Sequence, residues 1–184
     1  MNCYTYFDPG KRIYYLSDDV DNQSMGLLTY SILSKIAEDD EKDNKEKDYK
    51  REPIKLYINS YGGNIVDMWG LIDVIMKSKT PIYTYCTGYA MSAGFKIFLA
   101  GHKRFCYKHS VFLYHQLSQW TSGKYLDVKQ EMEEADRNQK DIEEYVLSRT
   151  KIAKEKLDEI RNQKIDFYIH SEEAFKYGIV DEVL

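Results

Sequence analysis

The stretch Gly88-Tyr89-Ala90-Met91-Ser92-Ala93-Gly94 sets a serine between the end of a β-run and the start of a helical one. Small residues at 90, 93 and 94 permit a tight turn that pushes the Ser92 hydroxyl clear of a sheet, as in a nucleophile elbow. The amides that follow open a helix and point toward developing negative charge. A serine in that place is also an ordinary helix cap, so it gains weight only with partners. Gly62-Gly63, just after an apolar β-run, lets a backbone N–H approach a ligand with no Cβ in the way. Glycine equally suits a plain strand-to-helix turn. One such amide, with that of Ala93, would make an oxyanion hole.

A nucleophilic serine needs a base. Of four histidines, His102 and His109 lie in charged, turn-like segments, and His170 precedes Ser171, which reads as a helix cap. Only His115 ends an apolar β-run, Val111-Phe112-Leu113-Tyr114, where a rigid strand terminus can place an imidazole. The acid that would orient it must be chosen among 30, and spacing alone singles out none. Asp166 is favoured, because Ile165 and Phe167-Tyr168-Ile169 surround it with apolar residues and imply partial burial. The order Ser92, His115, Asp166 differs from that of the α/β-hydrolases, where the acid precedes the histidine, and argues against that fold.

The elements that must hold these residues alternate. Ile13 to Leu16 reads as a strand, followed by a helix capped by Ser24 with apolar positions Leu27, Leu28, Ile32, Leu33 and Ile36. Ile54 to Ile58 is the next strand, followed by a helix from about Val66 to Lys77. Pro81 opens a third strand, Ile82 to Cys86, which Gly88 closes; a short helix runs from about Met91 to Leu99. Strands near Arg104–Tyr107 and Val111–Tyr114 follow, and the alternation predicts crossover units and a largely parallel sheet. Residues 39–52 are densely charged with mixed sign and read as a solvated surface segment. The longest helix, 126–149, carries Val128, Met132, Ala135, Ile142, Tyr145 and Val146 in a seven-residue rhythm. That stripe is narrow for a core helix and suits either its own domain or a partner helix in an assembly. Short helices near Lys154–Arg161 and Ser171–Tyr177 and a strand around Val180–Val183 complete the pattern.

With 184 residues, 43% of them hydrophobic and 17 Tyr among them, the chain reads as a single domain over 1–184 and not as a disordered segment. A net charge of −4 with no basic stripe argues against nucleic acid as a partner. Cys3, Cys86 and Cys106 lie far apart without C-x-x-C spacing, which predicts reduced thiols and neither a disulfide framework nor structural zinc. The N-terminus lacks the basic start and apolar core of a signal peptide, and no apolar run is long enough to span a membrane. A cytoplasmic protein is expected, with no cofactor, metal or membrane contact.

Five fragments in order carry a resemblance. Leu56-Tyr57-Ile58-Asn59-Ser60-Tyr61-Gly62-Gly63, the serine stretch 88–94, Lys103-Arg104-Phe105-Cys106, His115-Gln116 and Glu173-Ala174-Phe175-Lys176-Tyr177-Gly178-Ile179-Val180-Asp181 resemble the ClpP serine peptidases, from about Arg12 to the C-terminus. The resemblance implies Ser92 as nucleophile, His115 as general base, Asp166 as the third triad member, and the amides of Gly63 and Ala93 as the oxyanion hole. It implies an α/β spiral of ββα units with stacked, mostly parallel sheets and a protruding long helix. It also implies heptameric rings stacked face to face, with the long helix between them, enclosing sites that cleave unfolded proteins or short peptides.

Departures from the family pattern are local. Tyr61 stands where the family has proline before Gly-Gly, Leu117 where it has proline after His-Gln, and the glycine-rich segment beyond is reduced to Gly123. The charged 39–52 segment looks like an insertion, and the segment before Arg12, which in the family builds the axial gate and helps dock an AAA+ ATPase unfoldase, is short. An ATPase partner is therefore left open. Three alternatives stand beside the endopeptidase: a phage-type capsid maturation protease of the same family, a non-catalytic ring subunit, and a crotonase-type acyl-CoA enzyme, which shares the spiral fold and the two-amide oxyanion hole.

Overall fold

The computed structural model describes residues 5–184. Strand β1 (Thr5–Asp8) runs antiparallel to β2 (Ile13–Leu16), which pairs in parallel with β3 (Ile54–Ser60). Next comes β4 (Ile82–Met91), parallel to β3 and, on its other side, to β5 (Lys103–Cys106), which in turn carries β8 (Glu182–Val183). Gly88 does not close β4. The strand runs on to Met91 and changes neighbour: Tyr83–Cys86 pair with β5, while Tyr89–Met91 pair with β6 (Val111–Tyr114). The bend is absorbed by a register shift against β3 between Ile58 and Ser60 and spanned by Asn59 Oδ1, which accepts from the Tyr89 amide at 3.2 Å. Strand β6 then pairs antiparallel with β7 (Phe167–His170). The sheet is thus mostly parallel and splits at β4, so the end of β4 and the end of β6 lie side by side.

Helices cover the sheet: α1 (Asn22–Lys45), α2 (Ile65–Lys77), α3 (Ala93–Leu99), α4 (Tyr125–Arg149), α5 (Lys154–Gln163) and α6 (Ser171–Lys176). Asp21, not Ser24, caps α1. Ser24 is the reciprocal partner in a capping box: its amide donates to Asp21 Oδ1 at 2.8 Å and its Oγ accepts from the Asp21 amide at 3.1 Å. At α6 the N-cap is His170 itself, and Ser171 Oγ donates to the Lys108 carbonyl at 2.7 Å. Every residue of α3 is buried, which puts this helix in the core. Leu28, Ile32, Leu56, Ile58, Leu71 and Phe98, all at 0% exposure, belong to the same core cluster.

Residues 39–45 of the charged segment are the last turns of α1, and Asp39 is fully buried. Its carboxylate accepts from Arg12 at 2.6 and 3.1 Å, Thr80 at 2.7 Å and Tyr49 at 2.9 Å, while Arg51 pairs with Asp40 and Asp43. The segment therefore ties the end of α1 to β2 and to the entry of β4. Helix α4 is buried only through Ala135, Ile142, Glu143, Tyr145 and Val146; its first turns leave Tyr125, Leu126 and Met132 exposed, with Trp120 nearby in sequence 85% exposed. Cys86 and Cys106 are free and buried, and burial pushes their thiols up to about 11 and about 12, so both stay protonated at neutral pH. Cys3 lies outside the described residues. No helix among the described residues is long and apolar enough to cross a membrane.

Candidate active site

Strand β4 delivers Ser92 directly onto the start of α3. Its backbone sits at φ 51° and ψ −118°, a conformation costly for a residue with a Cβ. The turn is fixed from both sides: the Ser92 amide donates to the Leu113 carbonyl on β6 at 3.0 Å, and the Lys96 amide donates to the Ser92 carbonyl at 3.3 Å. The Ser92 side chain makes no capping hydrogen bond to the helix it precedes, so a capping role does not account for it. Ala93 is the first residue of α3, and its N–H has no acceptor within the helix.

Gly62 and Gly63 are packed against this turn. A Cβ on Gly62 would lie 2.7 Å from the Ala93 nitrogen and 2.8 Å from the Met91 oxygen; on Gly63 it would lie 2.3 Å from the Val20 oxygen. Both hold positive φ, 104° and 147°, which favours glycine on conformational grounds as well. Val20 donates to the Gly62 carbonyl at 2.8 Å and accepts from the Asn64 amide at 2.6 Å, a bridge in which the Gly63 N–H finds no acceptor among the described residues. Asn64 then caps α2, accepting from the Val66 and Asp67 amides.

Ser92, Ala93, Gly63 and His115 line one cavity of about 150 Å³. His115 follows β6, which is held beside β4, so the parallel pairing that aligns the two strand ends brings serine and histidine together. The His115 Nδ1–H donates to the Gln116 carbonyl at 2.5 Å, which in the neutral ring leaves Nε2 as the free base. Burial and the Lys96 charge push His115 below the ordinary histidine value, against the Gln116 hydrogen bond and the Asp166 charge, which raise it. The ring is therefore neutral at pH 7.

Asp166 is exposed, not partly buried. Side chains alternate across the strand it enters: Phe167 and Ile169 turn inward, leaving Tyr168 and Asp166 outward. It lines a second depression, of about 380 Å³, which shares His115, Gln116, Leu117 and Ser118 with the first. Among the described residues no hydrogen bond joins Ser92 to His115 or His115 to Asp166; the Gln116 carbonyl holds the imidazole tautomer instead.

Residues 12–184 match the Clp protease family. The chain belongs to that family. Clp proteases are peptidases, and the split, mostly parallel sheet with its six described helices is consistent with the Clp protease fold. Two of the fragments that resemble this family have structural work in the fold. Arg104 binds Asp181 through its amide at 2.8 Å and its guanidinium at 3.1 Å, and donates to the Arg149 carbonyl at 2.8 Å. Arg149 in turn donates to the carbonyls of Leu99 and Gly101, so this cluster fastens the end of α4 to the end of α3.

One residue of the cavity escaped the sequence reading. Lys96 is 4% exposed, and burial pushes its ammonium down to about 8. Its Nζ lies 5.4 Å from the centroid of the Tyr114 ring. The signal was present: a lysine inside Phe95-Lys96-Ile97-Phe98-Leu99 has no polar face to occupy.

Proposed function

We propose that the chain is a serine endopeptidase. Ser92 attacks the scissile carbonyl, His115 Nε2 takes its proton and passes it to the leaving amine, and the amides of Gly63 and Ala93 receive the oxyanion. Asp166 steadies the imidazolium by its charge, and by direct contact once the ring turns from Gln116 toward it. The observation that carries this reading is the strained Ser92 turn at the head of a buried helix, its hydroxyl free of capping duty, in one cavity with His115. Labelling with a fluorophosphonate probe tests it. Label mapped to Ser92, and abolished in Ser92→Ala, is the expected result; an unlabelled Ser92 in the assembled protein contradicts it.

The substrates are unfolded proteins or short peptides, met inside a ring of like subunits in the cytoplasm. Support for an assembly comes from α4, whose exposed Tyr125, Leu126 and Met132 are an apolar surface that a second subunit would cover. A heptameric ring and a stacked pair of rings are the family-like form, with or without an AAA+ ATPase. A non-catalytic ring subunit is the competing reading, favoured by the missing Ser92–His115 and His115–Asp166 hydrogen bonds. The same labelling separates the two, because a silent subunit leaves Ser92 unmodified.

A further inference from the structure

Lys96 sits one helical turn beyond Ser92 on α3 and lines the cavity beside Ser92, and its charge acts on His115 across that cavity. The apolar walls are Ile65 and Met68 from α2, Ile142 from α4 and Leu117, with Gln116 and Ser118 beside it after His115. No carboxylate forms an ion pair with Lys96 among the described residues. Glu143 of α4, whose charge acts on the neighbouring Tyr114, is held by Arg161 at 2.9 and 3.1 Å and by Gln139 at 2.7 Å. An ammonium at 4% exposure without a counter-charge is unfavourable in the free protein, and a carboxylate brought by a ligand would relieve it.

We propose that this cavity accepts the acidic side chain of the substrate residue whose carbonyl Ser92 attacks, with Lys96 as the specificity-determining residue, so that cleavage falls on the carboxyl side of Glu or Asp. The proposal rests on the serine peptidase reading. When an acyl group is esterified to Ser92 Oγ, its side chain branches one carbon from the ester, so the space touching Ser92 and the two oxyanion amides must take it. A cavity near 150 Å³ holds a benzene-sized group, enough for the few heavy atoms of a Glu or Asp side chain. The apolar walls carry its methylene groups, and the polar end meets Lys96. Without Lys96 the same walls would select leucine or methionine.

The preference depends on pH in a defined direction. Lys96, pushed down to about 8 by burial, is charged at pH 7 and neutral at pH 9. The other titratable groups whose values burial moves keep their state over that range: His115 is pushed below the ordinary histidine value and stays neutral, Tyr114 is pushed up to about 12 and Tyr145 is raised by burial, while Glu143 pairs with Arg161 and Asp166 faces His115 from the neighbouring depression.

The test is kcat/KM on four fluorogenic peptides that differ only in Glu, Asp, Leu or Ala before the scissile bond, for the full chain and for Lys96→Met, with binding of uncleaved peptides to Ser92→Ala measured alongside. The expected Glu-to-Leu ratio exceeds ~10 at pH 7, since a charge-assisted contact replaces a desolvated one. It falls about tenfold by pH 9 as Lys96 loses its proton. Lys96→Met, similar in volume and apolar, brings the ratio below one while melting like the wild type. Leu cleaved as well as Glu by the wild type, or an unchanged ratio in Lys96→Met, overturns the inference and leaves the peptidase reading intact. Cleavage of none of the four contradicts the peptidase reading; the binding arm then decides the pocket alone, where tighter binding of the Glu peptide that vanishes in Lys96→Met upholds it and equal binding overturns it.

Discussion

Replacing Gly63 by alanine tests how the amide proposed to receive the oxyanion is held. The new Cβ would lie 2.3 Å from the Val20 oxygen, against 3.4 Å or more for an ordinary contact, so the two segments must part by about 1.1 Å. Moving Val20 that far takes its hydrogen bonds of 2.8 Å to Gly62 and 2.6 Å from Asn64 beyond bonding range. Two lost bonds at ~1 kcal/mol each, with ~1–3 kcal/mol for alanine at φ 147°, give a destabilisation of roughly 3–5 kcal/mol. For a domain of this size that lowers Tm by ~6–20 °C, short of unfolding it at 25 °C when native stabilities run ~5–15 kcal/mol. The displaced amide no longer faces the oxyanion, and one lost donor lowers kcat by ~10²–10³. Calorimetry and turnover of a short fluorogenic peptide measure both. Gly70→Ala is the control, since nothing lies within 4 Å of its Cβ in the middle of α2, and it should hold or raise Tm. A Gly63→Ala protein that keeps kcat within tenfold refutes the placement of this amide; one that melts with the wild type refutes the steric reasoning.

Asp39 supplies a stability prediction with a pH signature. Burial alone would raise its carboxyl, but the hydrogen bonds from Arg12, Thr80 and Tyr49 and the Arg12 charge outweigh that and hold it below the ordinary value. Its contribution is thus complete above the unfolded carboxylate range and is lost as pH falls through the depressed folded value. Asp39→Asn should cost ~3–5 kcal/mol at pH 7 in urea unfolding, as breaking a buried pair does, and the gap to wild type should close on acidification; a gap independent of pH contradicts the ionised network. For peptide turnover, the acid limb of kcat/KM should fall below the ordinary histidine range, because burial and then Lys96 depress His115. Lys96→Met should move that limb upward, and a limb that stays put or falls removes Lys96 from the electrostatics of the site. Leu126→Glu with Met132→Glu, both on exposed turns of α4, should preserve the fold by circular dichroism and lower the particle mass in solution. An unchanged mass excludes this face from the assembly.

Periodicity located the elements that bury a regular stripe. Val111–Tyr114 is β6, the expected helix from Val66 to Lys77 begins one residue earlier, and the long helix runs from Tyr125 to Arg149. What escaped depends on partners distant in the chain. Gly88 reads as a strand end, yet β4 continues because β6 offers it a second edge after β5 ends. Strands β1 and β7 went unread as strands; each lies antiparallel at an edge, paired with β2 and β6. The charged run is exposed as its composition suggests, and only the buried Asp39 escaped, because its partners Arg12 and Thr80 are 27 and 41 residues away. At the site, Ser92, His115 and the glycine pair were legible as residue types at strand ends and turns. The exposure of Asp166 was not, since apolar neighbours in sequence project to the opposite side of a strand. Nor was the hold of Gln116 on His115, a backbone contact that any residue type could make.

The central claim is that Ser92 is the nucleophile, and kcat/KM of Ser92→Ala on an unfolded protein or short peptide tests it most directly, with folding and particle mass matched to wild type. The account predicts a loss of ~10⁴-fold or more. Activity within tenfold of the wild type contradicts it.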